Sequence, residues 1–124
     1  MKPAIAVSGQ CGLVGTKFMI IVQEMDRAIA FYRDVIGLEV KLHTDHWSEL
    51  AFGDATVALH GGGDTDFRAT GLSFTVSDID KACHAVIDGG GSIRSQPEDR
   101  GDEGIHLAML TDTENNGFMF SQPK

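Results

Sequence analysis

Three observations predict an α+β fold of two tandem βαβββ units that form a cup-shaped mixed sheet with helices on the outside. The stretch from Lys17 to Ala28 recurs as Gly71 to Ala82 at a constant offset. In each copy, a segment with apolar residues at every second position is followed by a segment in which they recur with a period of 3.6. Glycine ends each helical stretch, as the left-handed C-cap position prefers. With 124 residues, the chain has room for one ordinary domain only.

The first unit spans about residues 16–60. Phe18, Ile20 and Val22 alternate as in a half-buried strand. A helix follows with Met25, Ile29, Tyr32 and Val35 or Ile36 on its apolar face, and Gly37 ends it. Three short strands complete the unit, at 38–43, 46–52 and 55–60, with turns at 44–45 and 53–54.

The second unit, about 69–122, repeats this order after a glycine-rich linker at 61–68. Its first strand is predicted from Leu72, Phe74 and Val76. Its helix carries Ile79, Ala82, Cys83 and Val86 on the apolar face and ends at Gly89. Three strands are predicted at 92–95, 105–111 and 117–121, with a polar loop at 96–103 and a turn at 112–116.

Composition predicts a cytoplasmic protein. The chain is 42% apolar and 23% charged, and no apolar run is long enough for a membrane span of about 18 residues. Residues 1–15 form a predicted N-terminal arm before the domain at 16–124, and Pro3 and Ser8 make this arm unlike a secretory signal. Cys11 and Cys83 are too few for a disulfide framework, which is typical of a reducing compartment, and they form no C-x-x-C pair of the kind that binds zinc or carries out redox chemistry.

The charge balance argues against polyanionic partners. Eighteen acidic residues against ten basic ones give a formal charge of −8, and no basic cluster interrupts the sequence. Affinity for nucleic acid or an anionic membrane depends on such clusters, so neither is an expected partner. An acidic surface favours a cationic ligand over an anionic one.

The two units, the Ala-Phe-Tyr-Arg-Asp-Val-Ile-Gly-Leu-Glu-Val stretch at 30–40 and the Asp112-x-x-x-Asn116 turn resemble the vicinal oxygen chelate superfamily. This superfamily includes glyoxalase I, extradiol dioxygenases, fosfomycin-modifying enzymes and bleomycin-resistance proteins. The resemblance covers about residues 16–122 and implies a cup whose floor carries up to four metal ligands. The fold alone does not specify the function, because this scaffold hosts several chemistries.

The resemblance assigns the four ligand positions to Lys17, Gly71, Ala58 and Met119. A protonated lysine has no lone pair, glycine and alanine offer no donor, and a thioether is a poor ligand for hard divalent ions. We therefore expect no bound metal and no cofactor. Three histidines near the predicted turns, His43, His46 and His60, leave an unconventional metal site open as an alternative.

Strand parity predicts which residues line the cup, because successive side chains of a strand point to opposite faces. The lining is apolar and rich in methionine, with few polar groups, as in many small-molecule pockets. The predicted ligand-binding residues are Lys17, Met19, Ile21, Trp47, Glu49, Thr56, Ala58, His60, Ser73, Thr75, Leu107, Met109 and Met119.

Two functions toward a small molecule remain open at this point, beside a third possibility in which the chain is a subunit or accessory domain whose cup is occupied by a protein partner. The first, similar to the bleomycin-resistance branch, is metal-independent sequestration of a small, partly aromatic and in some cases cationic molecule. The second is an isomerase or lyase in which Glu49 or His60 is the general base and Lys17 stabilises an oxyanion. A homodimer is expected in either case, as in many relatives, and the apolar segment Pro3–Val7 is predicted to add a strand to its interface.

Overall fold

The computed structural model describes residues 9–124; the predicted strand at Pro3–Val7 lies outside these residues. The eight strands are β1 (Phe18–Ile21), β2 (Glu39–Leu42), β3 (Trp47–Phe52), β4 (Ala55–His60), β5 (Arg68–Thr75), β6 (Ser92–Asp99), β7 (Ile105–Thr111) and β8 (Asn116–Pro123). The first helix, α1, is α-helical over Met25–Ala30 and continues as a π-helix over Phe31–Ile36. The second, α2, spans Ile79–Asp88, and a 3-10 turn follows β6 at Gly101–Glu103.

The strands form two four-stranded mixed sheets with the same topology, β1-β4-β3-β2 and β5-β8-β7-β6. The first and last strands of each unit run parallel, and the other neighbours are antiparallel. Phe18 lies opposite Val57 in the first unit, and Leu72 lies opposite Phe118 in the second. The repeat seen in the sequence is therefore a repeat of strand order and register, as the predicted fold class requires.

Both helices lie where the apolar periodicity of the sequence predicts them. Gly37 ends the first helix with a φ of 98°, a conformation that only glycine adopts without strain. Asp78 caps the N-terminus of α2, and its side chain accepts a hydrogen bond from the backbone N–H of Lys81 at 3.1 Å. The π-helical second half of α1 was not predicted, because its apolar residues also fit an α-helical period.

One apolar core joins the two units. It is built from the inner residues of both sheets, among them Ile20, Leu59 and Leu110, and from the buried faces of both helices. The predicted parity is confirmed: residues that alternate with these inner positions, such as Met19 and Met109, are about half exposed. These alternating residues lie on the sheet faces turned away from the helices, which we call the outer faces, and they stay out of the core.

Two predicted boundaries in the second unit are wrong. β6 continues into the predicted loop at 96–103 and ends at Asp99, with register shifts after Ile93 and Ser95. An edge strand tolerates such irregularity and also Pro97, since one row of its backbone groups has no ladder partner. β5 begins at Arg68, the last residue of the predicted linker.

The turn between β7 and β8 fastens the second unit to the first helix. Glu114, fully buried, accepts hydrogen bonds from the backbone N–H groups of Gln23 and Glu24 at 3.1 and 2.9 Å and from Arg27 Nε at 2.7 Å. The hydroxyl of buried Tyr32 donates to Asp112 Oδ2 at 2.6 Å. These contacts fix the end of β1 and the start of α1 against the second sheet.

Ionisation of the two buried acids is shifted in opposite directions. Burial tends to raise the pKa of Glu114, but hydrogen bonds from Arg27, the Glu24 backbone and Thr113 outweigh it and leave that pKa below its usual value. For Asp112, burial is the larger effect and raises the pKa despite hydrogen bonds from Tyr32, Asn116 and the Glu114 backbone. The burial of Tyr32 itself, together with the negative charge of Asp112, raises the pKa of the Tyr32 hydroxyl well above its usual value of 10.

Within residues 9–124, neither helix has the length and apolarity that crossing a bilayer requires.

Candidate functional site

The outer face of the first sheet holds a compact polar cluster. Lys17, just before β1, donates from Nζ to Glu49 Oε2 at 2.9 Å, and Trp47 Nε1 donates to the same oxygen at 2.7 Å. The hydrogen bonds from Trp47 and Lys17 lower the pKa of Glu49. A carboxylate stabilised in this way is a weaker base than a free one.

Apolar and aromatic groups surround this ion pair. Met19 and Glu49 flank Ala58 in register across β1, β4 and β3, and Ala58 is fully covered. His60 lies opposite Trp47, with the two rings edge to face at a centroid distance of 6.2 Å. Ile21 continues the row of Met19 toward the end of β1. Seven predicted ligand-binding residues thus share one face: Lys17, Met19, Ile21, Trp47, Glu49, Ala58 and His60.

The outer face of the second sheet is more apolar. Met109 and Met119 lie opposite each other on β7 and β8, and Leu107 lies opposite Ser121. Both methionines, with Gly71 and Arg94, border a shallow hollow of about 110 Å³. Arg94 covers the Phe67 ring at 3.8 Å from its centroid, a cation–π contact that sequence reasoning missed because the two residues are far apart in the chain.

The predicted lining residues do not form one enclosed pocket within the described part of the chain. In residues 9–124, no hydrogen bond, ion pair or ring contact joins the outer-face residues of one unit to those of the other. Thr56, Ser73 and Thr75 instead lie at a separate cavity of about 430 Å³ between the two units. Binding on the outer faces therefore needs a further surface to enclose a ligand.

The four metal-ligand positions do not fit a metal ion. The Lys17 ammonium is held by Glu49, Gly71 and Ala58 carry no donor, and Met119 presents a thioether. A hard divalent cation requires oxygen or imidazole nitrogen at these points.

His43, His46 and His60 do not share a contact partner that could make them one site. His43 Nε2 is 3.0 Å from Asp26 Oδ1, whereas His60 Nδ1 is 2.8 Å from the carbonyl oxygen of Gly61. His46 is exposed at the turn before β3. Across residues 9–124, no three His, Cys, Asp or Glu side chains are grouped so as to hold a metal ion.

Residues 16–120 match the family model of the glyoxalase/bleomycin resistance protein/dioxygenase superfamily. No curated protein matches the sequence. Solved structures share its fold at low identity. A family enzyme from Burkholderia phytofirmans PsJN is 17% identical, with a TM-score of 0.74, over 87% of this chain and 97% of that one.

Two further structures with this fold come from antibiotic-related proteins. An antibiotic-binding protein from Streptomyces sp. CB03234 is 20% identical, with a TM-score of 0.66, over 90% of this chain and 98% of that one. A fosfomycin resistance protein from Listeria monocytogenes is 13% identical, with a TM-score of 0.74, over 90% and 95%. At these identities the likeness concerns the fold, whereas the family model covers most of the sequence. The chain belongs to the glyoxalase/bleomycin resistance protein/dioxygenase superfamily.

Proposed function

We propose that this protein binds and sequesters a small, partly aromatic molecule on the outer face of its first sheet, without a metal ion. The observation that carries the proposal is the arrangement of Trp47 and Met19 around a Lys17–Glu49 ion pair that neutralises itself. An apolar surface with a few fixed polar groups is the usual composition of a ligand site. The antibiotic-binding protein from Streptomyces offers a precedent for such binding on this fold.

The polar groups of this face limit the chemistry of the ligand. Glu49 Oε2 already accepts from both Trp47 and Lys17, which leaves its other oxygen to accept from a ligand donor. Trp47 and Met19 favour a planar ring, through stacking and sulfur–aromatic contact. The overall charge of −8 disfavours an anion, so we expect a neutral or cationic aromatic compound.

A second copy of the chain is proposed to close the site. Pockets bury about 70–90% of a ligand, yet Met19 and Met109 are 46% and 44% exposed on the two outer faces. Apolar, methionine-rich faces of this kind are also typical of homodimer interfaces. Pairing the outer face of one chain with that of another would enclose the ligand and bury both methionines.

The test is a thermal-melting and fluorescence screen of aromatic amines, neutral aromatic antibiotics and divalent metals. Trp47 is the only tryptophan, so a ligand on this face changes its emission, and a ligand that binds the folded state raises the melting temperature. Trp47→Ala is expected to abolish the rise in melting temperature, while Ile87→Ala, on the exposed side of α2, leaves that rise unchanged. Stabilisation by metals alone would refute the metal-free proposal.

Glu49→Gln distinguishes binding from catalysis. With the general base removed, an isomerase or lyase acting through Glu49 loses turnover, whereas a binding protein retains its ligand with a modest change in affinity. The lowered pKa of Glu49 favours the second result. Turnover of the identified ligand by the unmodified protein, lost in this variant, would make the protein an enzyme.

A further inference from the structure

A cavity of about 430 Å³ lies between the two units, on the helix side of the sheets and away from the outer faces. It is lined by Phe18 and Val57 of the first unit, by Phe74 and Phe120 of the second, and by Ala85 of α2. Its volume falls within the range of about 300–1,000 Å³ that is usual for ligand pockets.

The cavity exists because the two halves of the molecule differ at two pairs of equivalent positions. Phe31 of α1 and Ala85 of α2 occupy the same place in their units, as do Phe118 and Val57. At one end of the interface between units, the rings of Phe31 and Phe118 pack edge to face with centroids 6.1 Å apart. At the other end, Ala85 and Val57 are too small to fill the corresponding space, and both line the cavity.

The strand turns reinforce this difference. The turn at Asp112–Asn115 supplies the side chains that hold α1, whereas the equivalent turn has only Gly53 and Asp54. Within the described residues, no hydrogen bond joins Gly53 or Asp54 to α2. The interface is therefore fastened at one end and open at the other.

The lining determines what the open end can hold. Among the described residues, no ionisable side chain lines the cavity, and the polar residues at its border are Thr56, Ser73 and Thr75, whose side chains alternate with those of Val57 and Phe74. A charged ligand would lose its hydration there without a compensating partner, whereas phenylalanine rings favour edge-to-face contact with another ring. An apolar cavity of about 150 Å³ already accepts benzene, so this one has room for two or three fused rings.

We propose that this cavity is a second binding site, distinct from the outer face, for an uncharged compound of two or three fused rings bearing a hydroxyl or carbonyl group. One ring of the ligand occupies, at the open end, the position equivalent to the one that the Phe31 ring fills at the closed end. This ring lies beside Phe74 and Phe120. The polar substituent of the ligand pairs with a backbone or hydroxyl group of Thr56, Ser73 or Thr75 at the cavity mouth.

The probe is 2-naphthol, and its charged analogue 2-naphthoate is the comparison, with binding measured by titration calorimetry on the full chain. We expect 2-naphthol to bind and 2-naphthoate to bind at least about tenfold more weakly, which corresponds to roughly 1.4 kcal/mol. Equal affinity for the two compounds, or no binding of 2-naphthol, would overturn the proposal.

Ala85→Phe locates the site, because it places in α2 the ring that the equivalent position of α1 carries. This variant should lose at least about tenfold in affinity for 2-naphthol without losing thermal stability. His84→Phe adds the same ring to the exposed side of α2 and should bind 2-naphthol as the unmodified protein does. An unchanged affinity in Ala85→Phe would overturn the assignment.

The same assay distinguishes a bound ligand from two other occupants of the cavity, residues 1–8 and a second copy of the chain. If 2-naphthol binds only after removal of residues 1–8, or only at dilutions at which a dimer dissociates, the cavity is covered by the chain itself and the proposal fails. Trp47→Ala should leave 2-naphthol binding intact, and Ala85→Phe should leave ligands of the outer face unaffected. Failure of one site therefore does not imply failure of the other.

Discussion

Replacing Glu114 with glutamine should destabilise the fold through the contact between the units. The side chain is fully buried and accepts two backbone N–H groups, the Arg27 guanidinium and the Thr113 hydroxyl. A glutamine of the same size keeps one carbonyl acceptor, but its amide group faces the Arg27 donors. Arg27 stays charged and loses its partner.

The expected loss follows from these contacts. Removing one member of a fully buried ion pair costs about 3–5 kcal/mol, but Arg27 is 47% exposed and remains partly hydrated. One or two charged hydrogen bonds, at about 1.5–3 kcal/mol each, are a closer guide. We expect a loss of about 2–4 kcal/mol in the free energy of unfolding, and a melting temperature lower by roughly 10 °C.

The loss should depend on pH with a defined sign. Because the folded-state pKa of Glu114 is lowered, its contribution is fully present above the unfolded pKa of about 4.3 and disappears as the pH falls through the folded value. Urea denaturation of both proteins between pH 7 and pH 3 measures this difference. Exposed Glu98, replaced by glutamine, is the control. A loss below about 0.5 kcal/mol at pH 7, or one that persists unchanged at pH 3, would refute the reasoning.

Three further outcomes are expected. Asp112→Asn should cost about 1–3 kcal/mol, and because the folded pKa of Asp112 is raised, the cost should shrink as the pH rises through that value in the same urea series; a cost that grows would contradict the shift. Gly91→Ala should cost about 1–3 kcal/mol in thermal melting, since a Cβ there lies 2.4 Å from the Thr111 carbonyl oxygen, whereas Gly15→Ala meets nothing within 4 Å and should be neutral. Phe31→Ala should cost about 3–5 kcal/mol by urea denaturation, while exposed Phe52→Ala costs much less; similar losses would argue against a packed ring at the closed end.

Local patterns in the sequence predicted the fold well because each element carries its own periodicity. Alternation at Phe18, Ile20 and Val22 located β1, and Gly37 located the end of α1. The predicted end of β6 is wrong because Pro97 and the charged residues near it usually indicate a loop, whereas an edge strand accepts them.

The candidate site was harder to predict because it depends on how the two units meet. Parity along single strands correctly separated Met19 and Met109 from the core. It did not indicate that Thr56 and Ser73 border a different cavity from Trp47, because this depends on the relative placement of the two sheets. The buried acids of the β7–β8 turn were also missed as contacts to α1, because acids in a polar turn such as 111–116 are usually exposed to solvent.

The long reach of the β7–β8 turn affects how the chain folds as it is synthesised. Tyr32 and the backbone at Gln23 find their partners 80 and 91 residues further along the sequence. The first unit emerges from the ribosome early, but its helix cannot be fastened until the last strands are translated. Chains of this kind close their longest loops late and fold slowly for their size. The two halves of the repeat should consequently fold as one cooperative body, with the final turn completing it.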